Sequence, residues 1–150
     1  MKSFILTGGR QSGKTYTIMQ EIHNLILEGL RPSILLVFMY LSSAEDWLAM
    51  WNRLFPQQPM PQYTTIENRL GIRGRTFEYV YIEHVESLAE GVYDPRIGEI
   101  VMMNAGGVVT YTYSPTVLSL RSHSRIVDKE EIASRFVALA QNRVNLAKSI

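Results

Sequence analysis

An apolar hexapeptide, KSFILT (2–7), leads straight into GGRQSGKT (8–15), and behind it apolar residues recur every three or four positions. Gly8, Gly13, Lys14 and Thr15 fit the spacing G-x-x-x-x-G-K-[ST], in the strand–loop–helix context that this spacing requires. The glycines let backbone N–H groups point inward around phosphate oxygens, and the following helix adds the positive end of its dipole. By average residue usage, the four fixed positions would coincide by chance in roughly one chain of this length in a few hundred. The loop and its margin, Gly8, Gly9, Arg10, Gln11, Ser12, Gly13, Lys14, Thr15 and Tyr16, are therefore expected to hold a nucleoside triphosphate. Lys14 would reach the β- and γ-phosphates, and the Thr15 hydroxyl would ligate Mg²⁺.

Hydrolysis needs a second element, a carboxylate at the end of a neighbouring strand that holds magnesium through water, often followed by a carboxylate that activates the attacking water. YVYIEHVE (79–86) offers Glu83 for the metal role. His84 stands where the base is expected, and a neutral imidazole is able to take a proton. Glu86, three residues past Glu83, is the substitute base. Either hydrolysis uses an unusual base or it is slow.

The remaining sequence reads as alternating strands and helices, an α/β fold with a mostly parallel sheet flanked by helices. A helix from Gly13 presents Ile18, Ile22, Leu25 and Ile26 on one face and stops at Gly29 and Pro32. SILLVFMY (33–40) is apolar throughout, as a strand covered on both faces would be. Ser42 and Glu45 predict a capping box for a helix carrying Trp47, Met50, Trp51 and Leu54. Residues 56–62 hold three prolines and predict an irregular connection. Strands follow at 76–83 and 106–113, with Tyr79, Tyr81, Tyr111 and Tyr113 as packing residues. Between them Asp94 caps a helix that has Pro95 at its first position. A short strand at 124–127 and a last helix from Asp128 complete the pattern.

At 150 residues the chain is expected to form one domain over 1–150. No stretch approaches the roughly 20 consecutive apolar residues of a membrane span, and the first residues lack a secretory pattern, so the expected location is cytoplasmic. The absence of cysteine excludes disulfides and cysteine-ligated zinc, and His23, His84 and His123 are too scattered to suggest a local metal cluster. A net charge of +1 leaves no general basic footprint for nucleic acid. Any such contact would be local: Arg69, Arg73 and Arg75 form one basic group and Arg121, His123 and Arg125 another, either able to contact phosphates, although for each the favoured reading is solvated surface.

These residues resemble the P-loop ATPases of the additional-strand class, and more narrowly the ATPase core of phage large terminases. GGRQSGKT is similar to the terminase form of the loop, RGRTFEYVYIEHVE to an Arg-Gly turn entering the magnesium strand, and GGVVTYTYSPT to a coupling segment ending in a Ser-Pro element. The resemblance implies a strand order of 5-1-4-3-2, counting the strands above in sequence. It implies that Arg10 stabilises charge on the transferring phosphoryl group, and that Thr112 and Ser114 sense the γ-phosphate. It further implies ATP, or another NTP, as cofactor with Mg²⁺, a DNA or viral-assembly partner, and a homo-oligomer. The family's Asp-Glu pair is replaced by Glu83-His84. Two other functions stay open on the same loop: a nucleoside or nucleotide kinase, with RSHSR (121–125) at the acceptor, and a nucleotide-binding switch with little hydrolysis.

Overall fold

The computed structural model of the chain describes residues 2–7 and 14–113. Five strands, β1 (Lys2–Thr7), β2 (Ile34–Phe38), β3 (Gln62–Thr65), β4 (Phe77–Glu83) and β5 (Ala105–Tyr113), alternate with helices α1 (Lys14–Leu27), α2 (Leu41–Leu54) and α3 (Pro95–Asn104). All strand pairings are parallel, in the order β1-β5-β4-β2-β3. The four strands foreseen within the described residues take the expected order. The strand expected at 124–127, the last helix, Ser114, the second basic group and the loop residues Gly8, Gly9, Arg10, Gln11, Ser12 and Gly13 lie outside the described residues.

Period-two alternation assigns the two faces of the sheet. Ile34, Leu36 and Phe38 of β2 and Tyr81 of β4 pack with Ile18, Met19 and Ile22 of α1 and Trp47, Leu48 and Trp51 of α2. Leu35 and Val37, Val80 and Ile82, and Val109 and Tyr113 face the other way, against Ile97 and Ile100 of α3. All five β2 residues are buried, as the unbroken apolar run predicts. Trp47 and Trp51 stack at 5.5 Å between ring centroids and seal α2 onto the sheet. Fully burying a large apolar side chain stabilises the fold by about 1.5–3 kcal/mol.

Two sequence expectations need correction. The connection after Pro61 contains β3, which adds one more strand beyond β2 at the sheet edge. Helix α2 begins at Leu41, not after a Ser42 cap; Tyr40 is its N-cap in extended conformation, its carbonyl accepts the Ala44 N–H, and no side chain caps the end. Ser42 thus falls inside the first turn, exposed. At α3 the cap is as expected: Oδ1 of Asp94 accepts the Arg96 N–H at 2.9 Å, with Pro95 next in the helix.

Where β4 enters the sheet, its register with β5 shifts between Phe77 and Tyr79. Gly106 and Gly107 lie opposite this irregularity. A Cβ on Gly107 would stand 2.6 Å from the Glu78 carbonyl oxygen, so only glycine admits the approach.

Candidate functional site

In a parallel sheet every strand ends on the same edge, and side chains at that edge converge. Here β4 ends at Glu83, β5 runs to Tyr113 beside it, β1 ends at Thr7 and α1 starts at Lys14. Tyr81 pairs in register with Thr110, so Glu83 and Thr112, two residues further along each strand, point to the same face, the one covered by α1.

Glu83 is 1% exposed, an unusual position for a carboxyl group. The Thr112 hydroxyl donates to its Oε2 at 3.2 Å, while Oε1 is buried and accepts no hydrogen bond among the described residues. Burial pushes the Glu83 pKa up to about 7; His84, Thr112 and Lys14 pull it down, and Glu86 adds to the rise. Lys14, at the first position of α1, is also buried. Its desolvation lowers the ammonium pKa, an effect opposed by the nearby charges of Glu86 and Glu83.

Immediately after Glu83 the chain turns through His84, whose backbone is left-handed (φ 55°, ψ 56°). Among the described residues no other non-glycine has positive φ. This conformation costs roughly 1–2 kcal/mol for a residue with a Cβ. The His84 N–H donates to the Thr112 hydroxyl oxygen at 2.8 Å, which ties the turn to β5. Nδ1 of the imidazole lies 3.3 Å from Oε1 of Glu86, and Nε2 lies 3.9 Å from Oε2 of Glu83. The bond to Glu86 raises the His84 pKa against the opposing effect of burial.

Beside this cluster opens a cavity of about 270 Å³ lined by Thr15, Phe38, Ser43, Asp46, Trp47, Met50 and His84. The structure therefore brings together Lys14, Thr15, Glu83, His84 and Glu86, five of the residues singled out in the sequence. Tyr16 is exposed in the first turn of α1, where its hydroxyl accepts from Gln20 at 2.7 Å. The described basic group stands apart. Arg69 pairs with Glu99 at 3.0 Å, Arg75 bonds Gln62 and lies over the Phe77 ring, and the turn at Gly74 (φ 81°) feeds β4 at the end opposite Glu83. Ser43, Asp46 and Met50 were not read as site residues. Their signal was the spacing 43, 46, 47, 50, which puts two polar side chains on the helical stripe of Trp47 and Met50.

No family model and no curated protein matches the chain. Among solved structures it is similar to a mutant of the ATPase domain of a Thermus phage large terminase, at 12% identity and a TM-score of 0.49, over 77% of this chain and 61% of that one. The chain thus spans about three-fifths of that neighbour's length. The α/β architecture, a five-stranded all-parallel sheet flanked by helices, is consistent with a P-loop NTPase-like fold.

Proposed function

We propose that the chain binds a nucleoside triphosphate, ATP in the first instance, with Mg²⁺ at the loop 8–15 and hydrolyses it slowly, as a small viral or prophage-type ATPase acting on DNA or a protein assembly. The observation that carries this reading is the buried Glu83 carboxyl beside the buried Lys14, at the sheet edge where β1 ends and α1 begins. Burying a carboxylate is costly unless something bound there compensates it, as a divalent cation would.

The donors present fit magnesium. Oε1 of Glu83 accepts no hydrogen bond among the described residues, and Thr15 lines the adjoining cavity. Bound there through Thr15 and, by way of water, Glu83, magnesium would neutralise charge on the phosphate oxygens. Lys14 would bind the β- and γ-phosphates, Arg10 would meet charge developing in the transition state, and Ser114 would sense the γ-phosphate. His84, held at Nδ1 by Glu86, would accept the proton of the attacking water through Nε2.

The sequence resemblance supports a partner of the motor kind. The second reading is a nucleotide-binding switch, favoured by the position after Glu83: an imidazole on a left-handed residue, where the resemblance leads one to expect a carboxylate. Phosphate release from ATP and GTP, with and without single- and double-stranded DNA, separates the two. The account predicts DNA-stimulated release that is lost in Glu83→Ala. ATP binding with no release under any of these conditions would replace it with the switch.

A further inference from the structure

Helix α1 carries one acidic side chain, Glu21, and it is bonded inward, onto the sheet. The Tyr81 hydroxyl donates to Oε1 of Glu21 at 2.6 Å, the length of a charge-assisted hydroxyl-to-carboxylate bond. Tyr81 is 1% exposed and lies among Ile18, Met19 and Ile22. Its burial pushes the phenol pKa up, so the hydroxyl keeps its proton and remains the donor. A buried polar pair is a weak source of stability, because apolar side chains of similar volume pack as well; its best-attested use is to fix register. The apolar contacts of Ile18, Met19 and Ile22 tolerate a small slide of α1 along β4, whereas a hydrogen bond of this length does not.

Both partners share an element and a face with a residue of the site. Lys14 precedes Glu21 on α1 by about two helical turns, on the same side of the helix, and Glu83 follows Tyr81 by two residues on the same face of β4. The proposed magnesium site takes Thr15 from α1 and Glu83 from β4, so its geometry is set by where α1 sits along β4; each residue of slide is worth about 1.5 Å. We propose that the hydrogen bond between Tyr81 and Glu21 is a positioning clamp, which fixes the register of α1 against β4 and thereby holds Lys14 and Thr15 at their working distance from Glu83. This positioning role rests on the nucleotide reading of the site. Neither clamp residue touches nucleotide or metal; both act through the two elements that carry the site. Lys14 and Thr15 travel with α1, so loss of the clamp displaces them together from Glu83 and lowers turnover more than nucleotide affinity.

The test compares the full chain with Tyr81→Phe, Glu21→Leu, the double variant, and Glu21→Gln, which keeps an oxygen able to accept from Tyr81. Phosphate release is measured against ATP and Mg²⁺ concentration. Separately, without nucleotide, α1 is located against the start of β4 by the distance between spin labels at Asn24→Cys and Arg73→Cys, exposed positions in a chain with no cysteine of its own. Tyr81→Phe and Glu21→Leu should each lower kcat about 10- to 100-fold with KM for ATP within about twofold, raise the Mg²⁺ needed for half-maximal rate, and broaden or displace the label distance. The double variant should be no worse than either single change, and Glu21→Gln should stay near the unaltered protein. A Tyr81→Phe protein that melts lower but keeps its kcat and label distance would overturn the clamp and leave a purely structural bond. The two readings fail separately. An unaltered chain that releases no phosphate overturns the hydrolytic reading and with it the clamp's part in turnover, whereas an unchanged label distance in Tyr81→Phe overturns the clamp whether or not the chain hydrolyses ATP.

Discussion

Thr112 holds Glu83 and His84 through one oxygen: its hydroxyl donates to Oε2 of Glu83 at 3.2 Å and accepts the His84 N–H at 2.8 Å. A single side chain of β5 thereby fixes both the carboxylate and the left-handed turn that follows it. The same arrangement links β4 and β5 at the edge where β1 ends.

Replacing Thr112 with Val keeps the shape but leaves a buried carboxylate oxygen and a backbone N–H without their partner, a loss of about 1–3 kcal/mol in unfolding free energy. Thr112→Ser should recover most of it. Urea denaturation of the three proteins checks the order; equal stability of the Val and Ser variants would show that the hydroxyl is not the link.

The raised pKa of Glu83 gives the metal-free protein a pH signature. Its folded-state value, about 7, lies above its ordinary 4.5, so the native state binds a proton more tightly than the unfolded chain. Stability from this group is complete below 4.5 and is lost as pH rises through 7, a change on the order of 3 kcal/mol. His84, raised by Glu86, has the same sign over its own window, from its ordinary value upward. Unfolding free energies between pH 4.5 and 8 without magnesium should fall more steeply in the unaltered protein than in Glu83→Gln. Matching slopes would contradict the buried-carboxyl assignment.

How much of this was legible in the sequence depended on whether the signal was local. Strand β2 and the Asp94 cap declare themselves through neighbouring residues, and four strands of the sheet follow from apolar runs. Strand β3 escaped because an edge strand pairs on one side only and needs no apolar alternation; three prolines before it read as a loop, although Tyr63-Thr64-Thr65 carries the aromatic and β-branched residues that favour strands. Ser42 and Glu45 spell a capping box, yet the tertiary path of the chain out of β2 starts the helix at Leu41. Convergence of Thr112 and Glu83 depends on strand order, and the cavity wall on α2 depends on how that helix packs on the sheet. Neither is a property of any short stretch.

That contrast between caps is measurable. Asp94→Ala removes a bond to the helix N-terminus and the ion pair with Arg96 (2.8 Å), and should cost about 1–2 kcal/mol. Ser42→Ala removes an exposed hydroxyl with no capping role and should change stability by less than about 0.5 kcal/mol. A larger effect at Ser42 than at Asp94, in thermal unfolding, would reverse the assignment of the two helix starts.

The central claim is that the loop 8–15 holds a triphosphate with Lys14 on its phosphates. Titration of the chain with Mg²⁺ and ATP, followed by melting temperature, tests it most directly beside Lys14→Ala. The account predicts a saturable rise in melting temperature for the unaltered protein and none for the variant. An undiminished rise in Lys14→Ala, or no rise in either protein, would contradict it.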